Sequence, residues 1–228
     1  RALALAAEAV GEGAEVLVFP ELFLTGFCYE KDLSDQPPYP SLDPLRSFVE
    51  EYGCMMVRSI VDGRLNRGFC LDDSGIGFQE KLHPFGTEKA HFDGGRSIST
   101  IPTRRGRLGL SICYDLRFPE VARGLALSGA DYLVTIAQFP ASRGYHWQTL
   151  CRARAIENQI PHLACNAAGP EFCGGSAIID AWGTPLAEAG SGETAILAEI
   201  DLAGRDRVRE EIPALKDRRP EIYRSEKI

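Results

Sequence analysis

Cys113 stands where a predicted strand gives way to a helix. An apolar extended segment covers residues 107 to 112, and a helix is predicted over 118 to 128. Unpaired backbone N–H groups at such a junction favour a thiolate, and those beginning with the N–H of Tyr114 could hold an oxyanion. Taken alone, this segment is explained better by a buried and inert cysteine.

Glu21 is a carboxylate within the apolar run VLVFPELFLTGF, directly after a predicted core strand over 15 to 19. Burial of a carboxyl group favours its protonated form. Such a glutamate can take a thiol proton and later give it to a leaving amine, which is general base and then general acid catalysis. A glutamate that caps a turn or pairs with an arginine fits the same residues equally well.

Two further charged residues could share this site. Lys81, in FQEKLHPF, lies near the end of another strand, and lysine is rarely buried unless it is paired. Its ammonium group beside Cys113 would stabilise a thiolate and then an oxyanion, while Glu21 would keep it charged. Glu88, in GTEKAHFDGG, could position Lys81 or contact the substrate nitrogen. An exposed lysine and a solvated loop glutamate are the alternatives.

The elements that must position these residues alternate between helices and strands. This order indicates an α/β fold with mixed sheets, covered by helices on one face and by an apolar layer on the other. No linker or repeat divides the chain, so a single domain over 1 to 228 is expected. The other helices are predicted over 3 to 10, 44 to 52 and 145 to 159, and the other strands over 54 to 61, 66 to 72, 76 to 82, 98 to 102, 132 to 137, 161 to 167, 175 to 181 and 193 to 201.

Composition excludes several classes of function. A formal net charge of -7 argues against nucleic acid as a partner. No apolar run approaches the roughly 20 residues that span a bilayer, so no membrane partner is expected. The seven cysteines lack CxxC spacing, which favours reduced thiols in the cytoplasm. The four histidines form no ligand motif with a cysteine, and neither a metal nor another cofactor is expected.

Five segments together resemble the signature blocks of the nitrilase superfamily, the carbon–nitrogen hydrolases. They are FPELFLTGF, EKLHPF, ICYDLRFPE, RARAIENQ and SAIIDAWG, which follow in the superfamily's order along essentially the whole chain. The resemblance implies a four-layer α-β-β-α sandwich, homodimers and a thioester intermediate. It also implies a catalytic triad of Glu21, Lys81 and Cys113, with Glu88 as a second active-site glutamate. Members of the superfamily begin with a strand ahead of the first helix, which this chain lacks.

Within the superfamily, CYDLRFPE, AQFPASRGYHW and ARAIENQ are most similar to the omega-amidase or Nit-type amidase branch. The resemblance implies a small amide substrate that bears a carboxylate, in a pocket around Tyr114, Gln138 and Phe139. The same triad would serve a hydrolase of N-carbamoyl amino compounds or a nitrilase. A thiol hydrolase with a histidine base leaves Glu21 and Lys81 unexplained. A catalytically silent binding protein of this fold is the alternative from another class.

Overall fold

The structure is a computed structural model that describes residues 1 to 223, so the last five residues of the predicted domain lie outside the described part. Its helices are α1 (Ala2–Gly11), α2 (Asp43–Tyr52), α3 (Glu88–His91), α4 (Pro119–Leu127), α5 (Gly144–Asn158) and α6 (Leu202–Glu211). Its strands are β1 (Val16–Val18), β2 (Met55–Asp62), β3 (Leu65–Asp72), β4 (Gly75–Glu80), β5 (Ile101–Thr103), β6 (Gly106–Ile112), β7 (Tyr132–Ala137), β8 (His162–Asn166), β9 (Ala177–Ile179) and β10 (Pro185–Glu188).

The strands form two mixed sheets. The first has the order β1-β2-β3-β4, with β1 parallel to β2 and the other neighbours antiparallel. The second has the order β10-β9-β8-β7-β6-β5 and is parallel across β6, β7 and β8. Its outer pairs are antiparallel.

Apolar side chains set the order of the layers. Met55 and Val57 of β2 pack between the sheets with Leu110 and Ile112 of β6. The opposite face of the first sheet packs against α1 and α2, and that of the second sheet against α4 and α5. The sheets approach closely at Gly68, where an added Cβ would lie 2.8 Å from a methyl carbon of Leu110. The predicted α-β-β-α sandwich is therefore confirmed.

The predicted strand over 193 to 201 is wrong. Half-buried Ile196, Ala198 and Ile200 do alternate with exposed Leu197 and Glu199, as in a strand with one buried face. No backbone of the described chain pairs with this segment, however, and a strand is defined by that pairing. The alternation of apolar and exposed residues in this segment therefore indicates that one side is buried, and does not indicate that the segment belongs to a sheet.

Two features are absent from residues 1 to 223. None of their helices is both long and apolar enough to cross a bilayer. They also hold no group of three or more histidine, cysteine, aspartate or glutamate side chains arranged to bind a metal ion.

Candidate active site

Four strand ends contribute to one site between the sheets. In the first sheet, Glu21 follows β1 and Lys81 follows β4. In the second sheet, Cys113 follows β6 and Gln138 follows β7. Hydrogen bonds and ion pairs join these segments, so the predicted meeting of three distant stretches of the chain is present in the structure.

Glu21 lies at the centre of the site and is 0% exposed. Its Oε1 accepts hydrogen bonds from Lys81 Nζ and from Asn66 Nδ2, both at 2.7 Å. Its Oε2 accepts a longer bond of 3.2 Å from the backbone N–H of Gln138. The turn that carries Glu21 is held by a further bond, in which the N–H of Leu22 donates to the hydroxyl of Ser59 at 2.9 Å. The carboxylate is therefore fixed by both of its oxygens and by its backbone.

Lys81 is buried between two carboxylates. Its Nζ lies 2.7 Å from Glu21 Oε1 and 2.7 Å from Glu88 Oε2, although Glu88 Oε2 does not meet hydrogen-bond geometry. Burial alone would lower the pKa of Lys81, but the negative charge of Glu21, to which Glu88 adds, raises it above its usual value. Lys81 therefore remains an ammonium group. Burial raises the pKa of Glu88, and the attraction of Lys81 opposes this only in part.

Cys113 directly follows β6 and is the first residue of a short 3-10 helix over Cys113–Arg117. Its φ of 50° makes a sharp turn at this point. A positive φ is uncommon for a residue other than glycine and occurs where a side chain must be presented at a strand end. Burial, and then Glu21, raise the pKa of Cys113 well above its usual value, and Lys81 offsets this only in part. The thiol form of Cys113 is therefore favoured at rest, because desolvation outweighs the nearby ammonium group. Stabilisation of a thiolate by Lys81 during the reaction stays a prediction.

A neutral thiol makes the base essential. If Cys113 Sγ attacks a carbonyl carbon, Glu21 can take its proton, and the ammonium group of Lys81 can stabilise the oxygen that becomes negative. The protonated Glu21 can then give its proton to the leaving nitrogen, which leaves a thioester on Cys113. Attack by water, with Glu21 again as the base, releases the acid and restores the thiol.

The three residues predicted to contact substrate have different surroundings. The ring of half-buried Tyr114 lies 4.7 Å from that of Phe85, centroid to centroid. The side-chain amide of Gln138 donates to the backbone oxygen of Glu21 at 2.8 Å. Phe139 is buried, and its ring lies 5.4 Å from that of Trp147. Substrate contact by Tyr114, Gln138 and Phe139 stays a prediction.

Sequence reasoning missed Asp115. This residue joins the segment after Lys81 to the end of β6, directly before Cys113. Its Oδ2 accepts from the backbone N–H groups of Leu82 and Ile112, each at 3.2 Å. Its Oδ1 accepts from the N–H of His83 at 2.9 Å and lies 2.8 Å from His83 Nδ1. The segment after Lys81 is thereby tied to the turn that carries the nucleophile. The signal was an aspartate two residues after Cys113, next to an apolar strand.

Fold and site together define a class of enzyme, the hydrolases in which a cysteine nucleophile is served by a carboxylate base and a lysine. The model of the carbon–nitrogen hydrolase family matches residues 1 to 210. The chain belongs to that family.

Two curated relatives have a similar sequence over almost the whole chain. The 2-oxoglutaramate amidase of Bacillus subtilis is 36% identical over 92% of this chain and 87% of its own length. The omega-amidase NIT2 of Danio rerio is 32% identical over 98% of this chain and 89% of its own length. The predicted class, an amidase of this superfamily with a Glu-Lys-Cys triad, is thereby confirmed.

Solved structures agree with this assignment. Saccharomyces cerevisiae Nit3, a member of the nitrilase superfamily, superposes with a TM-score of 0.87 at 28% identity, over 96% of this chain and 89% of its own. A mutant amidase from Nesterenkonia superposes with a TM-score of 0.83 at 26% identity, over 97% of this chain and 87% of its own. In that amidase the active-site cysteine carries the acetamide moiety of fluoroacetamide.

Proposed function

We propose that this chain is an omega-amidase, which hydrolyses a small amide bearing a carboxylate and releases ammonia and a dicarboxylic acid. The triad supplies the chemistry of the amide end. The names of the relatives, 2-oxoglutaramate amidase and omega-amidase, support a substrate that carries a carboxylate in addition to its amide.

The observation that carries the proposal is that two guanidinium groups lie over aromatic rings in the segments that follow Gln138 and Lys81. Arg117 lies four residues after Cys113, and its Cζ is 5.1 Å from the centroid of the Phe139 ring. Arg143 Cζ is 5.1 Å from the centroid of the Phe85 ring, which packs against Tyr114.

Neither guanidinium group has an anionic partner. Within residues 1 to 223, Arg143 and Arg117 form no ion pair with a carboxylate, and Arg117 Nη1 and Nη2 lie instead 3.4 Å from His146 Nδ1. Guanidinium groups bind carboxylates through charge-assisted hydrogen bonds. A substrate whose amide lies at Cys113 would place its distal carboxylate toward them.

Ammonia release from matched substrates tests the proposal. Succinamate carries the carboxylate, and 4-methylpentanamide replaces it with an isopropyl group of similar shape. Hydrogen bonds to a charged group contribute about 1.5 to 3 kcal/mol, so kcat/KM is expected to favour succinamate by about 10- to 100-fold. Arg143→Met and Arg117→Met should lower kcat/KM for succinamate and leave the neutral amide unaffected. Arg104→Met, on the remote Asp73 ion pair, is the matched control.

Other results would replace the proposal. Faster turnover of an N-carbamoyl amino compound or of a nitrile would assign the chain to one of those reactions. Equal turnover of succinamate and 4-methylpentanamide would remove the carboxylate from the substrate definition. No turnover of any substrate, with Cys113 no more reactive than the other cysteines, would indicate a catalytically silent binding protein.

We also propose a cytoplasmic homodimer. All seven cysteines are free thiols, which supports a reducing compartment. Exposed Ile156, Trp182 and Leu186 supply apolar surface, and the turn at Gly183 abuts Ile156. Sedimentation of the purified protein should give twice the monomer mass, and Trp182→Glu should shift it toward the monomer. A monomeric wild type would refute the dimer.

A further inference from the structure

Asn66 binds two catalytic residues through two separate groups. It lies in β3 and is 1% exposed. Its side-chain amide donates to Glu21 Oε1 at 2.7 Å, and its backbone oxygen accepts from the N–H of Lys81 at 2.9 Å. Asn66 therefore fixes the base and the cation relative to one strand of the first sheet.

The hydrogen bonds of Glu21 make its two oxygens different. Oε1 accepts from Asn66 Nδ2 and from Lys81 Nζ, which together use both of its lone-pair directions. Among residues 1 to 223, the backbone N–H of Gln138 is the one group with a hydrogen bond to Oε2, the longer bond described above, so one lone-pair direction of Oε2 is free. The carboxylate also interacts with the Cys113 thiol. Oε2 is thus the oxygen with capacity to take a proton.

The amide oxygen of Asn66 does not stabilise the fold. Its Oδ1 is buried and has no hydrogen-bond partner in the described part of the chain. An unpaired buried carbonyl destabilises the folded state, and a leucine of similar volume would avoid it. Stability therefore does not explain an asparagine at this place, whereas its N–H donor to Glu21 does.

We propose that Asn66 is a positioning residue that assigns the two oxygens of Glu21 separate tasks, Oε1 as the anchored oxygen and Oε2 as the proton carrier. The proposal concerns carbon–nitrogen hydrolysis by this triad and is independent of which amide is the substrate.

The proposed division leaves the anchoring bonds unchanged during the whole reaction. The thiol proton moves to Oε2 as the S–C bond forms, and then to the leaving nitrogen as the C–N bond breaks. A proton of the attacking water next moves to Oε2, and it returns to sulfur as the C–S bond breaks. Oε1 accepts from Asn66 and Lys81 in every state, so the carboxyl group need not reorient.

Kinetics of Asn66→Leu in the full chain test the proposal, with succinamate as the probe. We expect kcat to fall about 10- to 100-fold with KM nearly constant, since a group that orients the general base is lost. The acidic limb of the pH profile should move to higher pH, because the ionised carboxylate loses a donor. Thermal unfolding should occur at the wild-type temperature or above.

Asn66→Asp separates the donor from the shape of the side chain. It conserves the volume, and only its protonated form can donate to Oε1. We expect partial rescue of kcat at acidic pH and loss of kcat as the pH rises, the reverse of the response of Asn66→Leu. This variant also keeps the test decisive if the leucine variant does not fold.

Asn158 provides a matched control. It lies in α5, is 0% exposed and also has a buried Oδ1 without a partner in residues 1 to 223. Its Nδ2 donates to the backbone oxygen of Arg154, away from the triad. Asn158→Leu should leave kcat and the pH profile unchanged.

A readout without substrate separates this proposal from the substrate assignment. The rate at which iodoacetamide alkylates Cys113, followed by peptide mass spectrometry, should fall in Asn66→Leu and not in Asn158→Leu. A folded Asn66→Leu with the wild-type kcat, pH profile and alkylation rate would overturn the proposal. An equal loss in Asn158→Leu would overturn it as well.

Discussion

Two basic side chains are buried beside the first sheet, and their surroundings are opposite. Lys81 lies 2.7 Å from a carboxylate oxygen of each of two glutamates. Arg58, which is 2% exposed, lies instead over two aromatic rings, with its Cζ 4.8 Å from the centroid of Phe23 and 5.5 Å from that of Phe69. Its Nε and Nη1 have no hydrogen-bond partner in the described residues.

The difference is visible in the two pKa values. Burial lowers the pKa of Arg58 to about 10, and the charge of Asp35 offsets this only in part. The same desolvation acts on Lys81, but the neighbouring acidic groups reverse it and the pKa rises. Burial alone therefore does not identify a functional cation. What distinguishes Lys81 is the set of oppositely charged groups that keep it charged beside a nucleophile.

Of the substitutions that test the difference between Lys81 and Arg58, Lys81→Met should have the largest effect. It leaves Glu21 and Glu88 buried without their counter-charge, and such a loss destabilises a protein by about 3 to 5 kcal/mol. The donor that faces the oxyanion is also lost, so kcat should fall at least about 100- to 1,000-fold. Urea unfolding and ammonia release measure the two effects.

Cys113→Ala is the control for Lys81→Met. It should abolish turnover but change the free energy of unfolding by only about 1 kcal/mol, because the thiol it removes is neutral. If Lys81→Met were as stable as Cys113→Ala, the charge balance described for the site would be wrong.

His162 extends the comparison to a buried base that stays neutral. Its Nε2 lies 2.7 Å from Thr135 Oγ1 and its Nδ1 lies 2.9 Å from the backbone oxygen of Cys151. Burial lowers its pKa to about 4, against the opposing effect of the Cys151 carbonyl. An unfolded histidine has a pKa of about 6.5.

The unfolded state therefore binds a proton between about pH 6.5 and 4 that the folded state does not, and stability must fall as the pH falls through this window. The free energy of unfolding falls by about 3 kcal/mol in total across this window. Urea unfolding is measured for the wild type and for His162→Gln, at neutral pH and near pH 4.5. The difference between the two proteins separates the effect of His162 on the free energy of unfolding from the effect of the carboxyl groups. Parallel pH dependence in the two proteins would contradict it.

Arg58→Met tests the other member of the pair, with the smallest expected effect. Replacing an uncompensated buried charge by an apolar side chain of similar length should stabilise the fold by about 1 kcal/mol and leave kcat unchanged. Arg58→Lys keeps the charge but loses the planar stacking on the rings, so it should destabilise. A destabilised Arg58→Met would indicate that the aromatic contacts more than compensate the charge.

The sequence identified the triad through several segments taken together. Glu21 in an apolar run and Cys113 at a strand end were candidates, but each alone also fitted a structural role, and the resemblance to the superfamily blocks joined them with Lys81. Arg58 has the same character within MMVRSIV, yet sequence alone could not distinguish it from Lys81. The distinction depends on which carboxylates lie within a few ångströms, and Glu21 reaches Lys81 from a segment 60 residues away.

The remaining features depend on pairing that a single sequence does not contain. Asn66 in LNRGFCLD looks like one polar residue of an alternating strand, and only the structure shows that its side chain reaches Glu21. The alternating segment over 193 to 201 gave the same signal as true strands but has no partner in the described chain. Local pattern thus predicted most elements, while contacts between segments decided their roles.

The most direct test of the account is to observe the covalent intermediate. The enzyme is mixed with succinamate, quenched in acid during turnover, and digested for peptide mass spectrometry. We expect the Cys113 peptide to gain the mass of the substrate less ammonia, as a thioester that hydroxylamine removes, and Cys113→Ala to gain none. An enzyme that releases ammonia with no adduct on Cys113, or with the acyl group on another cysteine, would contradict the central role given to this thiol.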